Sequence, residues 1–306
     1  MNSLFSIIIP TYNGGKTIGR LLKKIASFDS NYSKEVLIID SSSTDNTLKI
    51  VENFKKKIKY LKVINIAKKQ FNHGETRNLG VRMVGGKYVC FFSQDATPKS
   101  SNILSYYLED FKRDSKIVAI YGKHVSYEDT PVIQKLEADC FWNMLDSYLD
   151  RNGVLVKNLS NPFIPFNEEN KSLWYQLSDT SSCYDRQFLL KNRFPKTMYG
   201  EDILLGKLII ENGLSIVYDT RCSVYHSHNY SLLDYYKREK ESLNLTVKEM
   251  SLKKKINIYC KLRAVLKMDI SFLKKLYYIC KLIIYYILKF IIIVSLLVEK
   301  KVKKKL

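Results

Sequence analysis

The sequence lacks the cysteine patterns that mark zinc sites and dithiol redox centres. None of its six cysteines forms a C-x-x-C pair, and none has the spacing of a structural zinc site. We therefore expect reduced and mostly buried thiols in a cytosolic setting. The cysteines are Cys90, Cys140, Cys183, Cys222, Cys260 and Cys280.

The opening residues lack the features of a secretory leader. The stretch MNSLFSIIIPTYN has no basic segment and reaches a proline after a short apolar run, so we expect no signal peptide. No internal repeat is visible. The 306 residues suffice for one large α/β domain with an appendage, and an apolar content of 46% predicts a proper buried core.

Acidic residues are scarce relative to basic ones, and the imbalance is concentrated in one segment. The net charge of +20 suggests nucleic acid, a membrane or an acidic substrate as a partner. Residues 248–306 hold 16 of the 50 Lys and Arg residues against three acids, interleaved with aliphatic and aromatic side chains. This pattern favours an anionic membrane surface and argues against nucleic acid, which would need the charge on the folded domain.

The first half of the sequence alternates apolar runs with segments of helical spacing. This alternation predicts an α/β fold with a parallel sheet and right-handed crossovers. Ligands of such sheets bind beyond the carboxyl ends of the strands, where we expect Asn13, Asp40 and Asp95 to converge. Strands are predicted at Phe5–Pro10, Glu35–Asp40, Leu61–Ile66, Lys87–Ser93 and Ser215–Tyr218, and helices at Lys16–Ser27, after a cap at Ser43 or Thr44, at Thr76–Val84 and at Glu201–Glu211.

From about residue 248 the sequence has the pattern of a basic amphipathic helix. Its segment Leu276–Val298 is strongly apolar yet contains Lys281 and Lys289, and a central lysine costs roughly 2.5–3.5 kcal/mol in a spanning helix. The lysines between residues 300 and 305 would also lie on the wrong side of the membrane for a single span. We therefore expect an interfacial helix whose lysines snorkel; the alternative is a helix packed on its own domain or on a partner.

Gly15-Lys16-Thr17 lies between a predicted strand and a predicted helix, as at the end of a phosphate-binding P-loop. The full motif needs a glycine five places before Gly15, and this place is Pro10, which lacks both glycine's backbone freedom and an N–H group. A P-loop-like NTPase, with Asp95 as its magnesium ligand, is therefore a disfavoured alternative.

Two short motifs follow the first two predicted strands. Pro10-Thr11-Tyr12-Asn13 follows the first strand, and Asp40-Ser-Ser-Ser-Thr-Asp45 follows the second. Together they resemble the nucleotide pocket of glycosyltransferase family 2, whose members have a GT-A fold. The resemblance implies that Pro10, Thr11, Tyr12, Asn13 and Asp40 bind the nucleotide-sugar donor, with backbone and carboxylate groups accepting from the imide N–H of uracil or thymine.

A third motif, Phe71-Asn-His-Gly-Glu-Thr-Arg-Asn78, precedes the fourth predicted strand. It resembles the rhamnosyltransferase branch of the same family. The resemblance implies that Arg77 meets the donor pyrophosphate, for which a guanidinium is well suited. The alternative for Arg77 is an ion pair with a core carboxylate.

Gln94-Asp95-Ala96 occupies the place of the family's metal-binding D-x-D motif. A diphosphate leaving group needs a divalent cation to offset its charge, so the resemblance implies Mg²⁺ or Mn²⁺ at Asp95, with Gln94 in the donor site. Because only Asp95 is acidic, the metal lacks a ligand. We expect His226, or alternatively His228, to supply it, since H-x-H on a strand places both rings on one face; the other interpretation is a structural histidine pair.

Glu201 and Asp202 open the predicted helix after Tyr199-Gly200. They resemble the family's E-D motif, whose Asp is the catalytic base. The resemblance implies that Asp202 takes the proton of the acceptor hydroxyl in an inverting transfer, while Glu201 orients it or binds the acceptor. The alternative is that both acids only interact favourably with the dipole at the start of the helix. The same dipole stabilises the Asp202 carboxylate and so weakens it as a base.

The stretch 123–198 is less regular and rich in aromatic and polar residues. Trp142 and Trp174 are candidates for stacking on sugar rings, and Asp179 and Ser182 resemble an acceptor-side segment of the family. Large aromatic side chains more often lie in a core, which is the alternative for both tryptophans.

The motifs together predict a GT-A domain over residues 1–247, with a nucleotide-sugar half (1–98) and an acceptor half (99–247), followed by a basic helical tail (248–306). The resemblance implies metal-assisted sugar transfer, with dTDP-rhamnose as the favoured donor and a UDP-hexose as the alternative. The expected acceptor is a lipid-linked saccharide or a cell-surface polysaccharide, reached at the cytoplasmic face of the membrane.

Overall fold

A computed structural model describes residues 3–160, 166–167, 170–197, 199–245 and 258–303. The chain forms two compact units. The first comprises Met1–Val125 and Tyr148–His226, and the second Ser126–Ser147 and Ser227–Leu306. The second unit therefore takes in more of the chain than the tail 248–306, of which residues 248–257 and 304–306 lie outside the described residues.

One mixed sheet forms the centre of the first unit. Its strands in chain order are β1 (Phe5–Thr11), β2 (Lys34–Asp40), β3 (Leu61–Asn65), β4 (Tyr88–Phe92), β5 (Thr97–Pro98), β6 (Ile117–Val125), β7 (Val154–Lys157), β8 (Ser181–Asp185) and β9 (Ser215–Tyr225). They follow the order β3-β2-β1-β4-β8-β6-β9-β5, and β7 also pairs with β9. The four strands predicted in the first half are thus confirmed.

The two halves of this sheet differ in strand direction. β1 pairs in parallel with β2 and β4, and β2 pairs in parallel with β3. Strands β1, β2 and β4 are almost continuous apolar runs because helices cover both faces of a parallel sheet. β8 is antiparallel to β4 and β6, whereas β9 is parallel to β6 and antiparallel to β5 and β7.

The helices of the first unit flank this sheet. They are α1 (Ile18–Ala26), α2 (Thr47–Phe54), α3 (His73–Met83), α4 (Ile103–Phe111), α6 (Lys171–Tyr175), α7 (Arg186–Lys191) and α8 (Glu201–Glu211). The amphipathic spacing of α1 is confirmed, since Ile18, Leu21, Leu22 and Ile25 are all buried. α3 begins three residues before the predicted start, because the Asn72 side chain accepts a 3.1 Å hydrogen bond from the Glu75 N–H.

Two local predictions need correction. Neither Ser43 nor Thr44 caps α2: the helix begins at Thr47, whose N–H donates to the Asp45 carboxylate, while the Ser43 hydroxyl binds Asp40. The strand predicted at Ser215–Tyr218 continues as β9 to Tyr225, because Cys222 and Val224 are also fully buried. β9 ends before His226, so the H-x-H run does not lie on a strand.

The second unit is helical. It comprises α5 (Val132–Asp146), α9 (Leu232–Asn244), α10 (Tyr259–Lys267) and α11 (Phe272–Lys303), which share cores around Tyr285 and Ile292. Cys140 of α5 and Cys260 of α10 form a disulfide, so the expectation of six reduced thiols is wrong for this pair. Cys90, Cys183 and Cys222 are free and buried, as expected, and Cys280 is free and exposed.

Candidate active site

The ends of β1 and β2 form one side of the candidate site. Asp40 is fully buried, and its carboxylate accepts hydrogen bonds from the backbone N–H and the hydroxyl of Ser43. Asn13 reaches the same loop, because its N–H donates to the Ser43 hydroxyl and its side-chain oxygen accepts from the Thr44 N–H at 2.8 Å. Asn13 and Ser42 both have positive φ, at 45° and 62°, a conformation that non-glycine residues adopt mainly where the surroundings enforce it.

Tyr12 and Gln94 join the ends of β1 and β4. The Tyr12 N–H donates to Gln94 Oε1 at 3.0 Å, and Gln94 Nε2 donates back to the Tyr12 carbonyl at 2.9 Å. This reciprocal pair uses the Gln94 amide to fix the backbone of the P-x-Y-N motif. Pro10 and Thr11 belong to β1 itself, and the Tyr12 ring is exposed and contacts the Lys68 ammonium.

Asp95 lies beside His226, and sheet pairing explains why. Thr97 of β5 is opposite Tyr225 of β9, so residues just before β5 meet residues just after β9. The His226 N–H also donates to the Val125 carbonyl at 2.9 Å, which anchors it to the end of β6. Asp95 Oδ1 and His226 Nε2 are 3.5 Å apart, and both side chains are partly accessible.

The carboxylate of Asp95 and the imidazole of His226 fit a divalent metal site. Each side chain offers one ligand atom, and oxygen and imidazole ligands together suit Mn²⁺ among the cations expected here. His228, the alternative ligand, belongs to the second unit.

His124 is a further histidine beside His226, and the sequence analysis missed it. Its ring makes an edge-to-face contact with His226, with centroids 5.1 Å apart, and its Nε2 lies 3.1 Å from the Ser178 hydroxyl. Only the pairing of β6 with β9 brings His124 to His226, and this pairing has no local sequence signal.

Arg77 lies in a buried cluster of carboxylates. Its Nη1 is 2.7 Å from Glu201 Oε1, its Nε is 2.9 Å from Asp179 Oδ2, and the side chain is 9% exposed. Burial opposes the charged form, but Asp179, Glu201 and Asp202 outweigh this effect and raise the Arg77 pKa. The structure therefore shows the ion pair that the sequence analysis kept as the alternative, while contact of Arg77 with a pyrophosphate stays a prediction.

Asp179 is tied into the same cluster from its other side. Its Oδ1 accepts from the Ser182 hydroxyl at 2.8 Å and from the Tyr184 hydroxyl at 2.6 Å, and all three side chains are buried. Burial raises the Asp179 pKa, although Arg77 and these hydroxyls act in the opposite direction. Acceptor contacts of Asp179 and Ser182 stay predictions, since both now have partners within the protein.

Asp202 lies in the first turn of α8, a helix that begins directly after Gly200, whose φ of 73° sets the sharp entry into the helix. Its Oδ2 accepts from the Asp179 N–H at 3.2 Å, and the side chain is half-buried. Burial raises the Asp202 pKa well above its ordinary value, and the neighbouring carboxylates of Glu201 and Asp179 raise it further. These effects oppose the helix dipole, which would otherwise make Asp202 a weak base.

The motif containing Arg77 also fastens the segment that leads into α8. The Asn78 side chain exchanges two hydrogen bonds with the backbone of Phe194, and Asn72 Nδ2 donates to the Thr197 carbonyl. Gly74 lies so close to this segment that a Cβ there would be 2.3 Å from the Pro195 carbonyl oxygen. These residues thus position α8, a role that the sequence analysis did not assign to them.

The two tryptophans are buried in different units. Trp174 of α6 is 1% exposed in the first unit, and Trp142 of α5 is 4% exposed in the second. Sugar stacking by either side chain stays a prediction. Trp174 contacts Phe166, whereas Trp142 contacts Phe141.

A chain of contacts joins the two candidate metal ligands, Asp95 and His226, to Asp202. It runs from Asp95 through His226 and His124 to Ser178, whose neighbour Asp179 donates its N–H to Asp202. The structure thus connects Asp95 and His226 with Arg77, Glu201, Asp179 and Asp202 in one site of the first unit. This arrangement places a candidate cation site and a carboxylate of raised pKa in one unit, and both groups suit transfer to a hydroxyl group.

Comparison with known proteins supports this chemistry. The family model described as glycosyl transferase family 2 matches residues 6–178. The O-antigen chain rhamnosyltransferase WbaN of Salmonella anatum is 30% identical over 230 residues, covering 74% of this chain and 67% of that protein. The O-antigen chain rhamnosyltransferase RfbN of Salmonella typhimurium is 26% identical over 249 residues, covering 76% and 69%.

A solved structure supports the fold. The mannosyltransferase PcManGT of Pyrobaculum calidifontis, in complex with GDP-Man and Mn²⁺, superposes with a TM-score of 0.62 at 14% identity, covering 98% of this chain and 87% of that one. The curled mixed sheet with flanking helices is therefore the GT-A fold, as predicted. The long apolar helix α11 follows near the carboxyl end of the chain. On the family match and the rhamnosyltransferase relatives, the chain belongs to glycosyl transferase family 2.

Proposed function

We propose that this glycosyltransferase transfers rhamnose, with inversion, from dTDP-rhamnose to a lipid-linked saccharide or polysaccharide of the cell surface. The observation that carries the transfer chemistry is the half-buried Asp202 with a raised pKa, linked by contacts to Asp95 and His226. The rhamnose assignment rests on the F-x-H-G-x-T-R-N motif and on the two rhamnosyltransferase relatives.

Asp202 acts as the general base in this proposal. It takes the proton of the acceptor hydroxyl while that oxygen attacks the anomeric carbon and the bond to the nucleoside diphosphate breaks on the far side. A raised pKa suits this role, because it makes the Asp202 carboxylate a stronger base than an ordinary Asp. Glu201 is paired with Arg77 and orients the first turn of α8.

Asp95 and His226 would hold a divalent cation, which would offset the charge of the leaving diphosphate. The Mn²⁺ and GDP-Man of the Pyrobaculum calidifontis mannosyltransferase structure support a cation in this fold. Gln94 does not need to contact the metal, because its amide already fixes Tyr12.

The donor nucleoside lies at the ends of β1 and β2, against the loop that Asn13 and Asp40 shape. The Asp40 carboxylate already accepts two hydrogen bonds from Ser43. Asp40 therefore holds this loop in place as well as facing the uracil or thymine ring of the donor. A UDP-hexose is the alternative donor, since thymine and uracil present the same imide edge.

The acceptor and the location follow from the basic tail. We propose that residues 248–306 bind an anionic membrane surface at its cytoplasmic face, where a lipid-linked saccharide is available. Within the described residues, one helix is long and apolar enough to cross a membrane by length and composition, over Phe272–Leu296. The O-antigen chain activity of the relatives supports a glycan acceptor.

Calorimetric titration of the full chain with a panel of sugar nucleotides, with and without Mn²⁺ or Mg²⁺, tests the donor. Metal-dependent binding of dTDP-rhamnose in preference to UDP-hexoses supports the proposal. Preference for a UDP-sugar would keep the transferase and remove the rhamnose assignment. Absence of binding by every nucleotide would contradict the donor site itself.

A further inference from the structure

The exposed side of α11 is an apolar surface. We call it the outer face and define it by the exposed residues Phe272, Leu273, Leu276, Ile283, Ile284, Ile287, Phe290 and Val294, which recur at helical spacing along one side. Phe272 is 78% exposed and Phe290 is 62% exposed. Water-exposed aromatic and aliphatic side chains in a continuous stripe are typical of a surface with a binding partner.

The opposite side of α11 is packed against protein. Leu282, Tyr285, Ile292 and Leu296 are at most 3% exposed, in cores shared with Tyr235 and Leu243 of α9. The helix is therefore apolar on both sides for two different reasons. One side belongs to the core of the second unit, and only the outer face is available to a partner.

Lys289 confirms which side faces inward. Its ammonium lies 2.8 Å from Glu137 Oε1 of α5 and 3.6 Å from Glu239 Oε2 of α9, with the side chain 12% exposed. Lys261 of α10 pairs with the same Glu137 oxygen at 3.1 Å. The central lysine of the apolar segment is thus neutralised inside the unit, and it places no charge on the outer face.

The packing of α9 decides between crossing a membrane and lying on it. α9 packs beside the segment 282–296 of α11, which is the most apolar part of the helix. Asp234, Lys237, Lys240 and Glu241 of α9 are exposed. A bilayer around α11 would also surround these charges, at roughly 2.5–3.5 kcal/mol for each one near its centre. A helix lying in the membrane plane leaves them in water.

Basic side chains border the outer face. By helical spacing, Lys275 and Lys281 lie next to the two edges of this face on α11, and Arg263 and Lys267 are exposed on α10. Anionic lipid headgroups complement this charge, at about 1 kcal/mol per basic residue near the surface. A second copy of the chain would instead bring two positive borders together, so lipid is the better occupant.

We infer that α11 docks in the plane of an anionic bilayer, with its outer face in the lipid and Lys289 turned inward against Glu137. This inference rests on the membrane association proposed above and adds its geometry. It identifies the lipid-contacting residues and makes the second unit a monotopic anchor whose helix does not cross the membrane.

Cysteine labelling tests the orientation. Cys280 is the exposed free thiol among the described residues, so Cys280→Ser gives a background for single probes. Leu273→Cys, Ile284→Cys and Val294→Cys in this background carry a fluorophore along the outer face, and Lys237→Cys carries it on α9. The full chain is then bound to vesicles of phosphatidylethanolamine and phosphatidylglycerol, and spin-labelled lipids report the depth of each probe.

In-plane docking predicts one shallow depth for the three outer-face probes and an aqueous Lys237→Cys probe. Depth that increases steadily along α11 would show a crossing helix and overturn the inference. Probes that are protected without vesicles, together with a dimer in sedimentation, would identify a second copy as the occupant. Failure of the unmodified chain to bind these vesicles would refute membrane association as well.

A charge variant provides an independent readout. Ile287→Glu with Phe290→Glu should lower vesicle partitioning by at least about tenfold, since each removes a large apolar side chain from lipid. Lys240→Glu, on the water side of α9, is the matched control and should change partitioning much less. Donor binding by calorimetry must be unchanged in both variants, which separates loss of docking from loss of the fold. Unchanged partitioning of the outer-face variant would overturn the inference.

Discussion

Arg77 Nη1 lies 2.7 Å from Glu201 Oε1, and this ion pair joins α3 to the first turn of α8. Arg77 also pairs with Asp179, so one buried guanidinium holds both carboxylates that neighbour the proposed base, Asp202. The Phe91 and Phe194 rings lie within 6.0 Å of the guanidinium and exclude water from it. The arginine therefore contributes both to stability and to the geometry of Asp202.

Arg77→Ala should destabilise the protein by about 3–5 kcal/mol, because it leaves Glu201 and Asp179 buried without their counter-charge. Urea denaturation of the purified variant measures this loss. Arg82→Ala, at an exposed position of the same helix, is the control and should change the free energy of unfolding by less than about 0.5 kcal/mol. A wild-type unfolding midpoint for Arg77→Ala would contradict the structural role of the ion pair.

Asp202→Asn should lower kcat by about 10²–10⁴-fold, because the amide cannot accept the proton of the acceptor hydroxyl. Donor affinity should be nearly unchanged, since the proposed donor contacts lie at the ends of β1 and β2. Steady-state kinetics and calorimetry separate the two effects. Glu52→Gln, an exposed acid of α2, should behave as wild type in both measurements.

The pH dependence of the same reaction gives a second check on Asp202. Because its pKa is raised, the carboxylate loses its proton at a higher pH than an ordinary Asp. The acidic limb of the pH–kcat/KM profile should therefore lie well above pH ~4. A limb near the ordinary Asp value would remove Asp202 as the base.

Much of this site can be predicted from the sequence, and the reasons are local. Pro10–Asn13 and Asp40–Asp45 follow apolar runs directly, so strand prediction places them at one edge of the sheet. Asp202 follows from a motif at a helix start. The contact of His124 with Ser178 cannot be predicted this way, because it depends on how β6, β8 and β9 pair across large sequence separations.

The role of the Arg-Asn motif shows a different limit. Its residue types suit a phosphate site, and the sequence analysis therefore assigned Arg77 to the donor. In the structure Arg77 meets carboxylates that are more than a hundred residues away in sequence, and Asn78 holds the backbone of Phe194. Sequence alone shows that a guanidinium needs an anion, but the partner depends on the tertiary fold.

His226→Ala should weaken Mn²⁺ binding by at least about tenfold, because it removes one of the two proposed ligands from the metal. Titration of the protein–nucleotide complex with Mn²⁺, followed by electron paramagnetic resonance, measures binding without any turnover. His228→Ala tests the alternative ligand in the same assay and should retain affinity. The reverse ranking of the two variants would assign the metal to His228.

Asp110 and Asp219 form a buried acid pair that makes stability depend on pH. Burial and the neighbouring Asp219 raise the pKa of Asp110 to about 8, while Arg113 and Arg221 act against this rise and Glu109 pairs with Arg221. The pKa of Asp110 is higher in the folded protein than in the unfolded chain. Between these two pKa values the folded protein therefore keeps a proton that the unfolded chain has lost. The associated stability is present below pH ~4 and is lost as pH rises towards 8.

Asp110→Asn should therefore flatten the fall in unfolding free energy between pH ~5 and pH ~8, because the amide has no proton to lose. Urea denaturation at a series of pH values measures the slope. Asp114→Asn, an exposed acid close in sequence, is the control and should keep the wild-type slope. An equal slope in Asp110→Asn and wild type would exclude Asp110 as its source.

Gly74→Ala should disturb the position of the base without touching it. A Cβ at Gly74 would lie 2.3 Å from the Pro195 carbonyl oxygen, and backbone on both sides prevents an easy adjustment. The segment around Phe194 leads into α8, so a shift there moves Asp202 relative to Asp179. We expect a loss of about 1–3 kcal/mol in stability and a fall in kcat that persists well below the unfolding temperature.

Gly85→Ala is the matched control for this variant, because the nearest atom to its added Cβ is the Glu35 carboxylate at 3.9 Å. It should leave both stability and kcat close to wild type. If Gly74→Ala lost stability but kept its full kcat at low temperature, the contact of α3 with the segment around Phe194 would stabilise the fold without affecting catalysis. If kcat fell while donor affinity stayed constant, the α3 motif would act on catalysis through the position of α8.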